Sequence, residues 1–338
     1  MFFCLKKKIM CRAIGKRVKE HPFDFPAAEN YTIDGVKDPM VNNSYYFSAH
    51  DEKMSVFARL GKRVNADETW LAICLDGKVY SLREESFPAG SAPVKVEKKA
   101  EGWTLCYESV LNDGDEVSLH ATFIPKQKPI DFTTNMPAAR MATAIANEKW
   151  NRDYFNRLQQ TGGQCHYEQE GVLEGELTLN GQTCSLCLPC VRDHSFGRRD
   201  WNDMNNHLWL MAVSDERQFN YSMVSYPALS VLEVGNYRDE AGMHYMLQAD
   251  LDLQLVGMGT IPEELALNVR LDNGETLPVK VRRLAGVTYH FQNGQYILHE
   301  NIAEFEIAGH VCRGILEIGF NRDGKRYFNQ RDLRSIRR

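Results

Sequence analysis

The sequence has no apolar run near the ~18 residues that a membrane-spanning helix needs. A mean hydropathy of -0.43, with 25% charged residues, excludes a multi-span membrane protein, a collagen and a disordered chain. Standard catalytic signatures are missing as well. There is no H-E-x-x-H and no G-x-S-x-G, and no glycine fingerprint sits between a strand and a long helix, so no nucleotide cofactor is expected. Gly319 to Lys325 imitates a phosphate loop, but Arg326 occupies the place of the magnesium-binding Ser or Thr. No short internal repeat points to a solenoid or propeller. Apolar Met1–Leu5 precedes Lys6-Lys7-Lys8, the reverse of the secretory order, so a cytoplasmic location is expected.

Charge is unevenly spread over the 338 residues, whose formal net is -5. Residues 1–20 carry seven Lys or Arg against Glu20, and residues 322–338 carry seven against Asp323 and Asp332, which leaves -16 on the remainder. A body that acidic repels phosphate backbones, so no nucleic-acid partner is expected, and both basic ends read as solvated tails.

Nine cysteines, an odd number without export signals, fit reduced thiols. Cys184, Cys187 and Cys190, with His194 close behind, have a spacing that can hold zinc or an iron–sulfur cluster. The run Thr183–Val191 reads as a strand, however, which sends Cys184 and Cys190 to one face and Cys187 to the other. Structural thiols and no metal are the expectation.

Hairpin signals dominate what is present. Asp76-Gly77, Asn180-Gly181, Asn273-Gly274 and Asn293-Gly294 each separate two short β-rich runs. Glu304–Ile307 and Ala249–Leu255 alternate apolar and polar residues with period two. The exception is Asn135–Gln160, where Ala138, Met141, Ala142, Ile145, Ala146 and Trp150 recur at helical spacing after Pro137. The chain therefore reads as mostly β, with two antiparallel barrel or sandwich domains joined by one helix. The boundaries expected are a basic extension at 1–24, a β-domain at 25–134, the helix at 135–163 and a second β-domain at 164–338.

Arg192-Asp193-His194-Ser195-Phe196-Gly197-Arg198-Arg199-Asp200-Trp201 is the densest cluster of ionisable and aromatic residues. On a strand, Arg192 and His194 share one face, and Asp193 and Ser195 share the other. A histidine beside a carboxylate can be tuned to exchange protons near neutral pH. The same residues could equally form a buried Arg–Asp network that locks a strand end.

The segment resembles the R-D-[HR]-S-W-G-x-R motif of the lipocalin-like superfamily that includes carotenoid 1,2-hydratases, tocopherol cyclases and Diels–Alderase-type cyclases, and looks most like an uncharacterised branch of it. The resemblance extends to Asn43-Ser44-Tyr45-Tyr46-Phe47 with Asp51, Arg59-Leu60-Gly61, Trp70-Leu71, His166-Tyr167-Glu168-Gln169 and Gly314-Ile315-Leu316-Glu317, across most of residues 42–320. It implies tandem lipocalin-like domains around an apolar cavity that takes isoprenoid-like or polyketide-like ligands without metal or nucleotide. In hydratase members an Asp-His-x-Trp run and a later Tyr-x-Asp run accompany water addition. Asp193 and His194 match the first, with Phe196 in place of Trp; Tyr221 matches the second, with Met223 in place of Asp.

On this reading the protein is a cofactor-independent enzyme that hydrates, cyclises or isomerises an apolar isoprenoid-like molecule. His194 or Glu317 would supply the proton, Asp193 would orient His194, and Arg192 would set the field. Tyr167, Glu168, Phe196, Trp201 and Tyr221 would line the ligand cavity, although each has an ordinary packing or solvation role open to it; so does Trp209. The alternative is a carrier that holds the ligand unchanged. Both require Arg192 and His194 to project into an accessible hollow.

Overall fold

The turn dipeptides close hairpins where the sequence puts them. The computed structural model describes residues 2–82, 86–111, 113–161, 163–251 and 261–322. Strands β1 (Val41–His50), β2 (Met54–Arg63), β3 (Ala66–Leu75) and β4 (Lys78–Leu82) form a meander. Between β3 and β4, Asp76 and Gly77 take φ of 50° and 81°, the left-handed pair a two-residue type I′ turn requires. A short β5 (Ser86–Pro88) pairs back on β3, and β6 (Lys95–Lys98), β7 (Trp103–Val110) and β8 (Glu116–Pro125) form a second meander.

Two long strands unite these meanders. After a short β9 (Ile130–Asp131), β10 (Cys165–Leu179) pairs with β8, and β11 (Gln182–Arg198) pairs with β1, giving the order β4-β3-β2-β1-β11-β10-β8-β7-β6. The sequence reading put residues 164–198 with the second domain, and the pairing corrects it. The R-D-H-S-F-G segment lies on β11, in the first sheet, because Tyr45 and His194, far apart in sequence, are direct partners.

A 3₁₀ turn at Trp201–Asp203 then leads into β12 (Asn206–Val213). With β13 (Gln218–Tyr226), β14 (Leu229–Asp239), β15 (Gly242–Ala249), β16 (Glu264–Leu271), β17 (Thr276–Phe291), β18 (Tyr296–Ile307) and β19 (His310–Asn321) it closes an eight-stranded barrel. Each strand pairs with the next and β19 returns to β12, so no edge is left open. The fold is mostly β, as expected. Part of the alternation expected over Ala249–Leu255, and the basic segment from residue 323 onward, lie outside the described residues.

The expected single helix is two, α3 (Ala138–Asn147) and α4 (Arg152–Thr161). Glu148 is extended (ψ 156°) and ends the first; Asn151 Oδ1 accepts from Tyr154 N at 2.7 Å and starts the second. Nor do they join the two sheets, because the chain returns to the first sheet through β10 and β11 before crossing at residues 199–205. The basic N-terminal segment is a helix, α1 (Phe2–Glu20), rather than a solvated tail: Met10 and Ile14 pack against Ile145, Tyr154 and Leu229. A five-residue helix, α2 (Phe25–Glu29), follows it, capped by Asp24 Oδ1, which accepts from Ala27 N at 3.1 Å.

Burial shows where the two sheets meet. β16 alternates exposed and buried residues along its length, as a strand with one wet face should, whereas β12 is buried at every position and β1 at all but its first. In β1, Tyr45 and Phe47 enter the core of the first sheet, while Tyr46 faces the barrel. The seam packs Tyr46, Phe57, Trp70 and Val191 of the first sheet against Trp209, Met211, Tyr289, Leu298 and Ile315 of the barrel.

Candidate active site

Strand alternation divides the motif between two environments. Arg192 and His194 point into the first sheet, and Asp193 and Ser195 point into the seam, as the spacing requires. Cys190 lies in the first core and Cys184 packs against it, while Cys187 is exposed on the opposite face, so the three sulfurs diverge.

The inner half is sealed. Arg192 and His194 are both 0% exposed. The guanidinium donates from Nη2 to both Glu29 oxygens, at 2.9 and 3.2 Å, and to Gln169 Oε1 at 3.3 Å. It lies 4.9 Å from the Trp103 ring, 5.5 Å from Tyr167 and 5.7 Å from Phe123. Glu29 also accepts from Trp103 Nε1 at 2.6 Å and from the Tyr167 hydroxyl. His194 is held between Tyr167 Oη and Asn43 Oδ1, each at 2.7 Å, and stacks on Tyr45 at 4.4 Å. Burial, aided by the Arg192 cation, pushes its pKa down to about 2, so the imidazole is neutral.

This corrects the expected roles of the motif. Asp193 does not orient His194, because the two side chains leave opposite faces of β11; and Arg192 and His194 meet packed aromatic rings and the carboxylate of α2, so the accessible hollow that both readings required beside them is not what they face, and any reaction or ligand must be sought on the other side of the strand. Phe196, stacked on Tyr31 at 4.1 Å, and Tyr167 belong to the same inner network. Tyr221 sits inside the barrel and donates to Glu233 Oε1 at 2.7 Å. Trp201 stacks on Phe291 at 4.8 Å at the edge of the seam. Trp201 also packs against Tyr296 at 5.1 Å.

The outer half converges with the barrel. From the first sheet, His166 Nδ1 lies 2.7 Å from Ser195 Oγ and 3.3 Å from Asp193 Oδ1, its Nε2 lies 3.3 Å from Glu168 Oε1, and the Ser195 hydroxyl donates to Asp193 at 2.7 Å. Burial works against a charged imidazole here, but Asp193 and Glu168 outweigh it and raise the His166 pKa. The Asn220 amide of β13 donates to Glu168 Oε2 at 2.5 Å, tying this cluster to the barrel.

From the barrel, Glu317 on β19 and Glu300 on β18 are direct cross-strand partners. Glu317 lies 2.5 Å from His207 Nε2, and His207 Nδ1 is 2.5 Å from the Tyr296 hydroxyl. Glu300 is fully buried and accepts from Tyr46, across the seam, at 2.6 Å. Burial and the neighbouring Glu317 push Glu300 well above the usual carboxylate range. Burial also raises Glu317, although its hydrogen bond with Glu300 works the other way; Glu317 is the direct cross-strand partner of Trp209, whose ring lies 6.4 Å from His166. Burial holds His207 down at about 4.

Trp209 lies between the halves, its ring 5.4 Å from Tyr46 and 6.4 Å from His166. The cluster reaches solvent at His166, whose side chain is 31% exposed, with Asp193 at 13% and Glu317 at 11%. Of the residues singled out by sequence, the seam unites Asp193, Glu168 and Glu317. His166, Tyr46, Glu300 and His207 were missed. The first two stand in segments that carry the family resemblance; Glu300 and His207 had no local signal. Among the described residues, no group of three or more His, Cys, Asp or Glu is arranged to hold a metal ion.

The family model described as Domain of unknown function (DUF7064) matches residues 30–322. No curated protein matches the sequence. Among solved structures, a putative AttH from Nitrosomonas europaea is similar at TM-score 0.61 and 12% identity, covering 88% of this chain and 97% of that one. Kievitone hydratase from Nectria haematococca is similar at TM-score 0.55 and 11% identity, covering 88% of this chain and 92% of its own. At these identities the likeness is one of fold alone.

Proposed function

We propose that this chain, which belongs to the DUF7064 family, is an enzyme that uses acid–base chemistry in the seam between its two sheets to hydrate, cyclise or isomerise an unsaturated apolar molecule of isoprenoid-like character. The observation that carries the reading is that two acid–base groups face the same seam: Asp193, His166 and Glu168 on the first sheet, joined to the barrel through Asn220 and lying against Trp209, and Glu317, His207 and Glu300 on the barrel, joined to the first sheet through Tyr46. Burial raises Glu300, Glu317 and Glu168 alike, which favours the protonated carboxyls that a proton donor needs. Glu300, buried and raised, holds a proton in reserve for Glu317, the more exposed member of the pair. Protonation of a carbon–carbon double bond by Glu317 would generate a cation beside Trp209 and Tyr46, whose ring faces stabilise it. His166, oriented by Ser195 and Asp193, would then receive a proton from attacking water or from the adjacent carbon. That a hydratase is among the proteins sharing this fold supports the choice of reaction class.

Arg192, His194 and Tyr167 take no chemical step in this scheme. They anchor α2 and the floor of the first sheet.

The test begins with native extraction and mass spectrometry of what co-purifies, followed by turnover assays on that compound and its unsaturated analogues. Asp193→Asn and Glu317→Gln are each expected to reduce turnover by about 10²–10⁴-fold with binding retained, the range a positioned acid or base contributes. A ligand bound in the seam and returned unchanged by the wild type would make the protein a carrier. Activity undiminished in both variants would overturn the assignment.

A further inference from the structure

Among the described residues, five large apolar side chains stand exposed, and three of them share one helix: Phe2 at 78%, Leu5 at 55% and Ile9 at 48%, all on α1. At 3.6 residues per turn they form a single stripe over the first two turns. The stripe cannot turn inward. Met10 and Ile14, on another side of the helix, pack against Ile145 and Tyr154, and Lys6 Nζ donates to the Glu148 carbonyl at 2.6 Å while lying 5.0 Å from the Trp150 ring. The helix thus has two apolar sides, one docked on the protein and one presented outward.

The outward side is bordered by charge of one sign. Lys8, Arg12, Lys16 and Lys19 are exposed along it, and Glu20, 3.6 Å from Lys16 at the far end, is the one acidic residue of the helix. Exposed aromatic and aliphatic residues beside a row of lysines and arginines match the headgroup region of an anionic bilayer, where the apolar side chains enter the acyl boundary and the cations meet phosphate and carboxylate. We propose that this face of α1 binds an anionic lipid surface, holding the protein on a membrane without spanning it. The charge distribution orients the complex: residues 21–321 carry a net -16 and are repelled from the surface that attracts α1. The inference stands apart from the proposed reaction, although a membrane is where an apolar substrate would be found.

Co-sedimentation of the full chain with vesicles of phosphatidylcholine alone, or doped with phosphatidylserine, tests it. The wild type is expected to sediment with the doped vesicles, to bind the neutral ones far more weakly, and to be released by salt as surface charge is screened. Replacing Lys8, Arg12 and Lys16 by Gln should weaken binding about fivefold per residue. Phe2→Ser, Leu5→Ser and Ile9→Ser together should lower it at least about tenfold. All six positions are exposed, so an unchanged melting temperature serves as the folding control. Failure of the wild type to bind doped vesicles overturns the proposal, as does binding that survives both sets of changes. Concentration-dependent self-association that is lost with the apolar triple variant would overturn it too, by making a second copy of the chain the occupant of this face.

Discussion

Glu29→Gln removes the one carboxylate that compensates a guanidinium with no exposure to water. Glu29 is 8% exposed and accepts from Arg192, Trp103 and Tyr167, so the neutral amide both cancels the charge and turns a donor toward other donors. Gln169 Oε1, at 3.3 Å, is neutral, and Arg192 Nε and Nη1 already have no hydrogen-bond partner. The three surrounding rings soften the loss without replacing it. Breaking such a pair from one side costs about 3–5 kcal/mol. At about 2–4 °C per kcal/mol for a chain of a few hundred residues, the melting temperature should fall by roughly 6–20 °C. Urea unfolding should show the same loss as a lower midpoint at unchanged slope. The decisive measurement is the cycle with Arg192→Met, which substitutes an apolar chain of similar length. The double variant should be more stable than the sum of the single losses by about 1–3 kcal/mol, because neither charge is then stranded. A single-variant loss below about 1 kcal/mol, or additive losses, would show that Glu29 does not neutralise Arg192 and that α2 is not tied to the sheet in this way.

Acidification should act through three buried imidazoles. His50, His194 and His207 are held down at about 3, about 2 and about 4, so each stays neutral in the folded chain while its unfolded counterpart takes up a proton below about 6.5. Their contribution is complete above that pH and is lost as pH falls toward the folded values, by about 1.4 kcal/mol per pH unit for each. His50→Gln should therefore flatten the acid limb of stability against pH by one proton; an unaltered slope would contradict its burial as a neutral base. Gly314→Ala should destabilise the barrel strongly, since its Cβ would lie 1.9 Å from the Met211 carbonyl oxygen on the paired strand; calorimetry showing an unchanged transition would refute that register. A bulky maleimide should label Cys187 well before Cys190, which is buried with its pKa raised by desolvation, and peptide mapping reads the order.

Local chemistry in the sequence is legible where neighbours decide the outcome. Turn dipeptides and strand alternation do so at Asn180-Gly181, with φ of 49° and 79°, and along β11. The turn at Ala308-Gly309 adopts the same left-handed pair, 49° and 84°, yet Ala308 gave no warning, because the strand ends around it impose the conformation. Pairing over long separations left no trace. Nothing near residue 190 says that β11 joins β1, so the domain boundary fell too early and the motif was placed in the wrong sheet. The site was half-visible for the same reason. Asp193 and Glu317 are recognisable as chemistry-bearing residues, but their meeting depends on which outer faces of two sheets come together. Glu29 is the clearest omission: Asp24 and Pro26 announce a helix start, yet a carboxylate destined for a buried arginine is written no differently from one on the surface.

Because neighbours on β11 serve separate compartments, the strand behaves as a partition with fittings on both sides. Point changes there can be tried one compartment at a time. Adding or deleting a single residue between Val191 and Asp193 would instead exchange the fittings wholesale, driving Asp193 into the aromatic floor and His194 out toward the barrel. Natural variation in this stretch should accordingly be confined to replacements, with length held constant.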